Sequence, residues 1–245
     1  MSLLPPIAVA LDTTDLETAV AWAAAAGPHV STVKVGLELF LRHGHDTVLK
    51  CREASGGRDV FLDLKLHDIP NTVAGAARSV AGLAPDYLTV HASGGSAVVR
   101  AAVEALPGTR VTAVTVLTSL TAEQLAAVGY TGSPRDVVRR LAVLAVEGGA
   151  RALVCSPLEV ADVRREVGPD VRLITPGVRP ASGAAADDQA APGVRPVSGS
   201  ADDQARVATP QQALADGADL LVIGRPITGA SDVATAAREL AASLH

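Results

Sequence analysis

The feature that most constrains the fold is the regular alternation of short apolar runs with longer alanine-rich segments. The candidate strands lie at 7–10, 32–36, 60–64, 87–91, 111–117, 152–155, 172–175 and 220–224. The candidate helices lie at about 15–26, 38–54, 71–82, 95–105, 135–148, 158–167, 210–216 and 231–243. Strands that alternate with helices form a parallel sheet. Eight such units in 245 residues predict a (β/α)8 TIM barrel over residues 1–245, as a single domain.

An open, doubly wound sheet is the alternative arrangement of alternating strands and helices. Such a sheet usually has fewer strands and a glycine-rich fingerprint after its first one. Here the first candidate strand is followed by Asp12-Thr13-Thr14 instead. Only 2% of the residues are aromatic although 48% are hydrophobic, so alanine, valine, leucine and isoleucine must build the core. That mixture suits parallel strands wrapped by helices, and the barrel is favoured.

The overall charge and apolar pattern limit the class of partner. The net charge is −5 and no basic run occurs, which argues against nucleic acid. No window approaches the roughly 20 apolar residues that a membrane-spanning helix needs, and no basic region precedes an apolar stretch at the amino terminus. The two cysteines provide neither a disulfide framework nor a metal-binding spacing. We expect a cytoplasmic protein that binds neither membranes nor nucleic acid.

Residues 61–72, FLDLKLHDIPNT, place three charged side chains beside an apolar strand pattern. Side chains two positions apart on a strand share a face, so Asp63 and Lys65 point the same way and the leucines between them point the other way. Asp68 follows in a loop before Pro70. Charges on an inward face are costly unless they are paired. Spacing alone leaves two interpretations, a catalytic group or a structural ion pair at a strand end.

The barrel prediction brings further polar residues to the same place, because the carboxyl ends of all its strands meet at one mouth. The residues at those ends are Asp12, Lys34, Asp63, Lys65, His91, Thr118, Ser119, Ser156, Pro176 to Arg179, Gly224 and Arg225. They are spread over more than two hundred positions and converge only in a barrel. This convergence favours the catalytic interpretation.

The first group of residues at the mouth alternates in charge: Lys34, Asp63, Lys65 and Asp68. Each carboxylate has an ammonium partner, so all four groups can stay ionised in a poorly hydrated pocket. A carboxylate there would repel a negative group of the substrate, and a neighbouring lysine could stabilise and then protonate a carbanion. The cluster suits a reaction in which charge develops at one carbon.

The second group follows strands seven and eight and is typical of a phosphate site. Gly224 allows close approach of an anion to the backbone, and Arg225 can bind it through two hydrogen bonds. The alternative for Ile223-Gly224-Arg225-Pro226 is an ordinary strand exit with a solvated arginine. The neighbouring sequence Pro176-Gly177-Val178-Arg179 favours phosphate binding.

These motifs together resemble the orotidine 5'-monophosphate decarboxylase family, in the branch that carries DLKLHDIPNT, here at 63–72. The resemblance runs the full length of the chain. The other matching segments are at 10–12 (ALD), 33–36 (VKVG), 117–119 (LTS), 175–180 (TPGVRP) and 223–226 (IGRP). It implies removal of carbon dioxide from C6 of the substrate pyrimidine to give uridine monophosphate, with no metal and no organic cofactor.

The resemblance also implies roles for individual residues. Lys65 would donate the proton to C6, Asp63 would lie against the departing carboxylate, and Lys34 and Asp68 would complete the charge network. The implied ligands of the nucleotide include Asp12 and Lys34 for the ribose, Thr118 with Ser119 as a second candidate for the pyrimidine, Arg225 with the Gly224 amide for the phosphate, and Ile69 and Pro176 as further contacts. Asp68 and Thr72 would reach into the neighbouring subunit's site, which implies a homodimer.

The chain departs from the family in one segment, at about 176–207 between strand seven and helix seven. PGVRPASGAAADDQ at 176–189 is followed by PGVRPVSGSADDQ at 192–204, whereas the family has one copy of this phosphate loop. The ends of the segment are placed by their neighbours, so we expect Arg179 and Gln204 to act. Arg195 is the main competitor, because its nine-residue interval to Gln204 is the usual family interval, whereas Gln189 lies ten positions after Arg179.

Three other functions fit parts of the pattern. A magnesium-dependent sugar-phosphate lyase of the hexulose-phosphate synthase type shares the Asp-x-Lys-x-x-Asp motif. A Schiff-base aldolase would use Lys65 as its nucleophile. A non-catalytic nucleotide-phosphate binder would need no charged cluster in its pocket, so the intact Asp63, Lys65 and Asp68 argue against it.

Overall fold

The computed structural model describes residues 4–179 and 208–244, and over these residues eight parallel strands close into a barrel in sequence order. The strands are β1 (Ile7–Ala10), β2 (Thr32–Gly36), β3 (Asp59–Leu66), β4 (Tyr87–His91), β5 (Arg110–Val114), β6 (Ala152–Val154), β7 (Arg172–Thr175) and β8 (Leu220–Ile223). β1 closes the barrel by pairing with both β2 and β8. The predicted (β/α)8 fold is confirmed.

Each described strand is followed by one α-helix, except that β2, β5 and β8 are each followed by two. The helices are α1 (Leu16–Ala26), α2 (Leu37–His43), α3 (His45–Ala54), α4 (Pro70–Ser79), α5 (Ser96–Ala105), α6 (Ala122–Ala127), α7 (Pro134–Glu147), α8 (Val160–Val167), α9 (Pro210–Ala215), α10 (Arg225–Thr228) and α11 (Val233–Ala242). In the described part of the chain, no helix is both long enough and apolar enough to cross a bilayer.

The sequence prediction was wrong in two places that bear on the loops. The single helix expected at 38–54 is divided into α2 and α3 at Gly44, whose φ of 64° interrupts helical geometry. The fifth strand ends at Val114 rather than at residue 117. Thr118 therefore lies on the loop after β5, where it is partly exposed.

The barrel interior is a packed core below an open mouth. Its central cluster contains Ala8, Phe61, Tyr87, Ala152, Ile174 and Leu220. A larger apolar cluster fills the space between the outer faces of the strands and the helices. Because successive side chains of a strand point to opposite faces, six of the eight strands, all but β2 and β5, supply residues to both clusters. The polar residues at the strand ends thus rest on a filled interior.

β3 and β4 do not pair evenly along their whole length. Leu62 pairs with Leu88 and Leu66 pairs with Val90, so four residues of β3 span the interval that two residues of β4 span. Lys65 lies in this irregular segment with φ of 50°, a left-handed conformation that non-glycine residues rarely adopt. Bulges of this kind redirect side chains near active sites.

Candidate active site

A cavity of about 310 Å³ opens at the carboxyl ends of the strands. Ligand-binding pockets commonly begin at about this size. Polar side chains from both halves of the barrel line it: Asp12, Lys34, Asp63, Lys65, Thr118, Arg179 and Arg225. Its remaining walls are largely apolar. The structure therefore brings together residues that are as distant in sequence as Asp12 and Arg225.

Four of the charged residues form a continuous chain across β1, β2 and β3. Lys34 Nζ lies 3.0 Å from Asp12 Oδ1 and 3.5 Å from Asp63 Oδ2. Lys65 Nζ lies 2.8 Å from Asp63 Oδ1 and 2.9 Å from Asp63 Oδ2. Asp63 is thus the central member, with one ammonium group on each side. The order along the chain is carboxylate, ammonium, carboxylate, ammonium.

The central pair of this chain is buried, whereas its first member is open to solvent. Lys34 is 7% exposed and Asp63 is 8% exposed, whereas the Asp12 side chain is 64% exposed. Burial alone would raise the pKa of Asp63, but Lys34, Lys65 and the Thr89 hydroxyl together hold it below its usual value. Burial would likewise lower the pKa of Lys34, and the attraction of Asp63 and Asp12 raises it instead. Both groups are charged at neutral pH.

Thr89 of β4 belongs to this network, although it is not among the site residues predicted from the sequence. Its hydroxyl donates to Asp63 Oδ1 at 3.0 Å and accepts from the Lys65 backbone N–H at 2.8 Å. Thr89 lies in the middle of β4, whereas the other polar residues of the site were predicted from their positions at or near strand ends. A polar side chain in the otherwise apolar run Tyr87-Leu88-Thr89-Val90, two positions before His91, was the available signal.

His91 ends β4 close to Lys65 but does not line the cavity. Its ring lies 5.1 Å from that of His67, centroid to centroid. Burial, together with electrostatic repulsion from the neighbouring His67 and Lys65, lowers the pKa of His91. The residue is therefore neutral at pH 7 and adds no charge to the network.

The other end of the cavity is built by the segments after β7 and β8. Pro176, Gly177 and Arg179 line it from one side, and Gly224 and Arg225 line it from the other. Beyond β7, Val178 forms an isolated parallel bridge with Ala208, and the Arg179 N–H donates to the Ala208 carbonyl at 3.0 Å. Because β7 and β8 are neighbouring strands, two arginines and two glycines line adjacent parts of this end of the cavity, an arrangement that suits an anionic group.

Asp68, Ile69 and Thr72 lie outside the cavity of their own chain. Each is exposed, and Ile69 is 65% exposed. The Asp68 carboxylate accepts the backbone N–H of Ile69 at 2.6 Å, just before Pro70 begins α4. Among the described hydrogen bonds and ion pairs, none joins these three residues to Asp12, Lys34, Asp63 or Lys65.

The remaining predicted residues, Arg195 and Gln204, lie outside the described residues, as does the alternative Gln189. That Gln204 acts in binding, and that Arg195 is the main competitor of Arg179, therefore stay predictions. Arg179, by contrast, is placed at the cavity.

Comparison with known proteins agrees with this arrangement of fold and site. The model of the orotidine 5'-phosphate decarboxylase / HUMPS family matches residues 5–191 and 189–240. The two matched segments meet at residues 189–191, at the junction of the two copies of the repeat. The family pattern thus covers nearly the whole chain and divides where the sequence is duplicated.

Individual relatives cover the chain almost completely. An orotidine 5'-phosphate decarboxylase of Thermobifida fusca is 66% identical over 98% of this chain and 96% of the relative. One of Anaeromyxobacter dehalogenans is 53% identical over 97% of each chain. A solved orotidine 5'-phosphate decarboxylase of Lactobacillus acidophilus has a TM-score of 0.79 and 32% identity, and the match covers 98% of this chain and 99% of that one. The chain therefore belongs to the orotidine 5'-phosphate decarboxylase / HUMPS family.

Proposed function

We propose that this chain is an orotidine 5'-phosphate decarboxylase, a carboxy-lyase that converts orotidine 5'-monophosphate to uridine 5'-monophosphate and carbon dioxide. One observation carries the proposal beyond family membership. The Lys65 ammonium is held by both oxygens of the buried Asp63 carboxylate, inside a cavity whose other end gathers two arginines. The Thermobifida fusca relative, which is 66% identical, is named orotidine 5'-phosphate decarboxylase.

The chemistry requires a proton donor beside the carbon that loses carbon dioxide. When the bond from C6 to the carboxylate breaks, its electron pair remains on C6, and a proton must form the new C6–H bond. Lys65 is the donor, because it lines the cavity and its Nζ lies 2.8 Å from the Asp63 carboxylate. Asp63 would face the substrate's own carboxylate, and their repulsion is relieved as carbon dioxide leaves.

The remaining residues of the cavity have positions that suit binding of a nucleotide. Asp12 and Lys34 form the polar pair at the β1 and β2 side, appropriate for ribose hydroxyls. Thr118 lines the cavity from the loop after β5 and suits the pyrimidine edge. Arg179, Arg225 and the Gly224 amide form the wall that suits the phosphate. Binding of the distant phosphate then helps to hold C6 against Lys65.

Orotidine monophosphate absorbance, followed with and without a chelator, tests this assignment directly. We expect full activity in chelator, whereas a magnesium-dependent sugar-phosphate lyase of the same family would lose its activity. The contacts of Asp63 favour the decarboxylase, because the Lys65 ammonium group lies within hydrogen-bond distance of both Asp63 oxygens. Lys65→Ala should lose nearly all turnover and still bind uridine monophosphate. Near-normal turnover in this variant would contradict the role of Lys65.

We also propose that the enzyme is a cytoplasmic homodimer in which Asp68 and Thr72 enter the partner's site. Both residues are exposed and lie outside their own chain's cavity, so they are available to another subunit. Exposed apolar side chains lie on neighbouring elements, with Ile69 65% exposed and Leu41 of α2 74% exposed. Their burial between two copies would be favourable.

Mixing of two inactive variants tests the shared site. A dimer of one Lys65→Ala subunit and one Asp68→Ala subunit contains one site with both residues intact. Equal mixing after dissociation should restore about one quarter of wild-type activity, because half of the dimers are mixed and each has one intact site. Absence of any restored activity, with mixed dimers shown to form, would contradict the exchange of Asp68.

A matched pair of substitutions distinguishes the two copies of the repeat. We propose that Arg179 binds the phosphate, because it is placed at the cavity. Arg179→Ala should raise KM for orotidine monophosphate at least about tenfold, the cost of one charge-assisted hydrogen bond, and Arg195→Ala should change it little. The reverse result would assign phosphate binding to the second copy.

A further inference from the structure

Thr89 connects the two central residues of the site without lining the cavity itself. It is completely buried in β4, two positions after Tyr87 of the interior cluster, so it faces the inside of the barrel. Its hydroxyl has one proton to donate and lone pairs to accept with. It uses the proton for Asp63 and a lone pair for Lys65.

The hydrogen bond to Lys65 has a structural cause in the uneven pairing of β3 and β4. Where Leu62 pairs with Leu88 and Leu66 with Val90, the intervening β3 residues lose regular ladder partners on β4. The Lys65 N–H points to the Thr89 hydroxyl instead, at 2.8 Å. Lys65 also has a φ of 50°, which is unfavourable for a residue other than glycine. A hydrogen-bond partner for its N–H offsets part of the cost of this left-handed conformation.

The hydrogen bond to Asp63 fixes the other half of the pair. Thr89 and the Lys65 ammonium share Asp63 Oδ1, and Lys65 and Lys34 lie against Oδ2. The long lysine side chains can follow a rotation of the Asp63 carboxylate. The Thr89 side chain cannot, because it is β-branched, has few rotamers and lies on a buried strand. Thr89 is the rigid member of this set.

We infer that Thr89 is a positioning residue, whose hydroxyl holds the Lys65 backbone in its left-handed conformation and fixes the Asp63 carboxylate that orients the Lys65 ammonium. The catalytic consequence rests on the proposed decarboxylase function. Thr89 acts through Lys65 and Asp63 and does not touch the substrate. Its loss should therefore lower kcat and leave substrate binding nearly unchanged.

Thr89→Val removes the hydroxyl at nearly constant volume, and Thr89→Ser restores it. Thr112 of β5 provides a matched control, because it pairs with Thr89 in register, is equally buried and bonds through its hydroxyl to the Arg110 carbonyl. Thr112→Val loses a comparable hydrogen bond and does not disturb Lys65. Concentrations of folded sites are measured by titration with uridine monophosphate, so that kcat refers to folded enzyme.

We expect Thr89→Val to lower kcat by about 10- to 100-fold, the equivalent of one or two lost hydrogen bonds, with KM changed less than about twofold. Thr89→Ser should remain within about threefold of wild type, and Thr112→Val should have wild-type kcat. Equal kcat values for Thr89→Val and Thr112→Val would overturn the inference. If Thr89→Val does not fold, Thr89→Cys, a weaker donor of similar size, should lower kcat at least about fivefold.

A second measurement does not depend on the reaction. The carboxyl carbon of Asp63, followed by NMR with carbon-13 aspartate, reports its titration in each variant. The pKa of Asp63 should be higher in Thr89→Val than in Thr89→Ser and Thr112→Val, because the carboxylate loses a donor. Equal titration in all variants would overturn the inference. If the wild type does not decarboxylate orotidine monophosphate, the proposed function fails, and this titration alone decides the role of Thr89.

Discussion

Replacement of Lys34 by methionine tests whether the buried charges of the site stabilise one another. Methionine retains the length and apolar volume of the lysine stem and removes the ammonium group. Lys34 is 7% exposed and lies 3.5 Å from Asp63 and 3.0 Å from Asp12. Of its two partners, Asp63 is buried and Asp12 is largely solvated. The cost of the substitution should therefore come mainly from Asp63.

The expected magnitude follows from the partners that Asp63 retains. Removal of one member of a fully buried ion pair costs about 3–5 kcal/mol, because the other charge is left uncompensated. Asp63 keeps the Lys65 ammonium and the Thr89 hydroxyl, both at 3.0 Å or less. Desolvation of Lys34, which costs several kcal/mol, also disappears in the variant. We therefore expect Lys34→Met to lower the free energy of unfolding by about 1–3 kcal/mol at pH 7.

The pH dependence has a definite sign. The folded-state pKa of Asp63 is lowered, so its charged form stabilises the protein above the unfolded-state pKa of about 4, and this contribution is lost as the pH falls through the folded-state pKa. Lys34→Met raises the pKa of Asp63 and removes part of that contribution. The difference in stability between wild type and variant should thus be largest at pH 6–7 and should shrink towards pH 3.

The difference in free energy of unfolding is measured by urea titration of wild type and variant at pH 7 and pH 3.5. The protein concentration is the same in all titrations. Asp12→Asn is the control, since it removes the exposed partner of Lys34, and its effect should stay within about 1 kcal/mol. A difference for Lys34→Met that is the same at both pH values would refute the reasoning, because the effect would then not pass through the charge of Asp63.

Two further predictions concern the scaffold. Gly27→Ala places a Cβ 2.4 Å from the Ser55 carbonyl oxygen and should lower the free energy of unfolding in urea by about 1–3 kcal/mol. Gly82→Ala is the control, because no atom lies within 4 Å of its Cβ, and its stability should stay within about 1 kcal/mol of wild type. Burial raises the pKa of Cys51 to about 11 and that of Cys155 to about 12, so a thiol reagent at pH 8 should modify neither cysteine in the native protein and both after denaturation. Equal effects of the two glycine substitutions, or rapid native modification, would contradict the packing described.

The fold was predictable because it is encoded by periodicity that recurs eight times along the chain. Errors of detail arose where one residue interrupts a continuing pattern. Gly44 divides a helix whose apolar spacing carries on across it, and only its positive φ reveals the break. Similarly, apolar residues continue beyond Val114, although the strand ends there.

The charged residues that line the cavity were predictable from the sequence, but the contacts that hold them in position were not. Asp12, Lys34, Asp63 and Lys65 meet because all parallel strands end at one mouth, which topology alone dictates. The irregular pairing at Lys65 depends on how two strands fit together, and spacing within one strand does not encode it. Thr89 was missed for that reason, since its role exists only once β3 and β4 are side by side.

The bridge between Val178 and Ala208 holds together the two ends of the connection that contains the duplicated sequence. The chain leaves the barrel at Val178 and re-enters it beside the same residue, before Thr209 caps α9. A tandem duplication between two paired residues changes the length of the connection and leaves the two anchor points where they were. The bridge therefore separates the geometry of the cavity from the length of this connection, and insertions can accumulate between Val178 and Ala208 with no change in the pairing of the barrel strands.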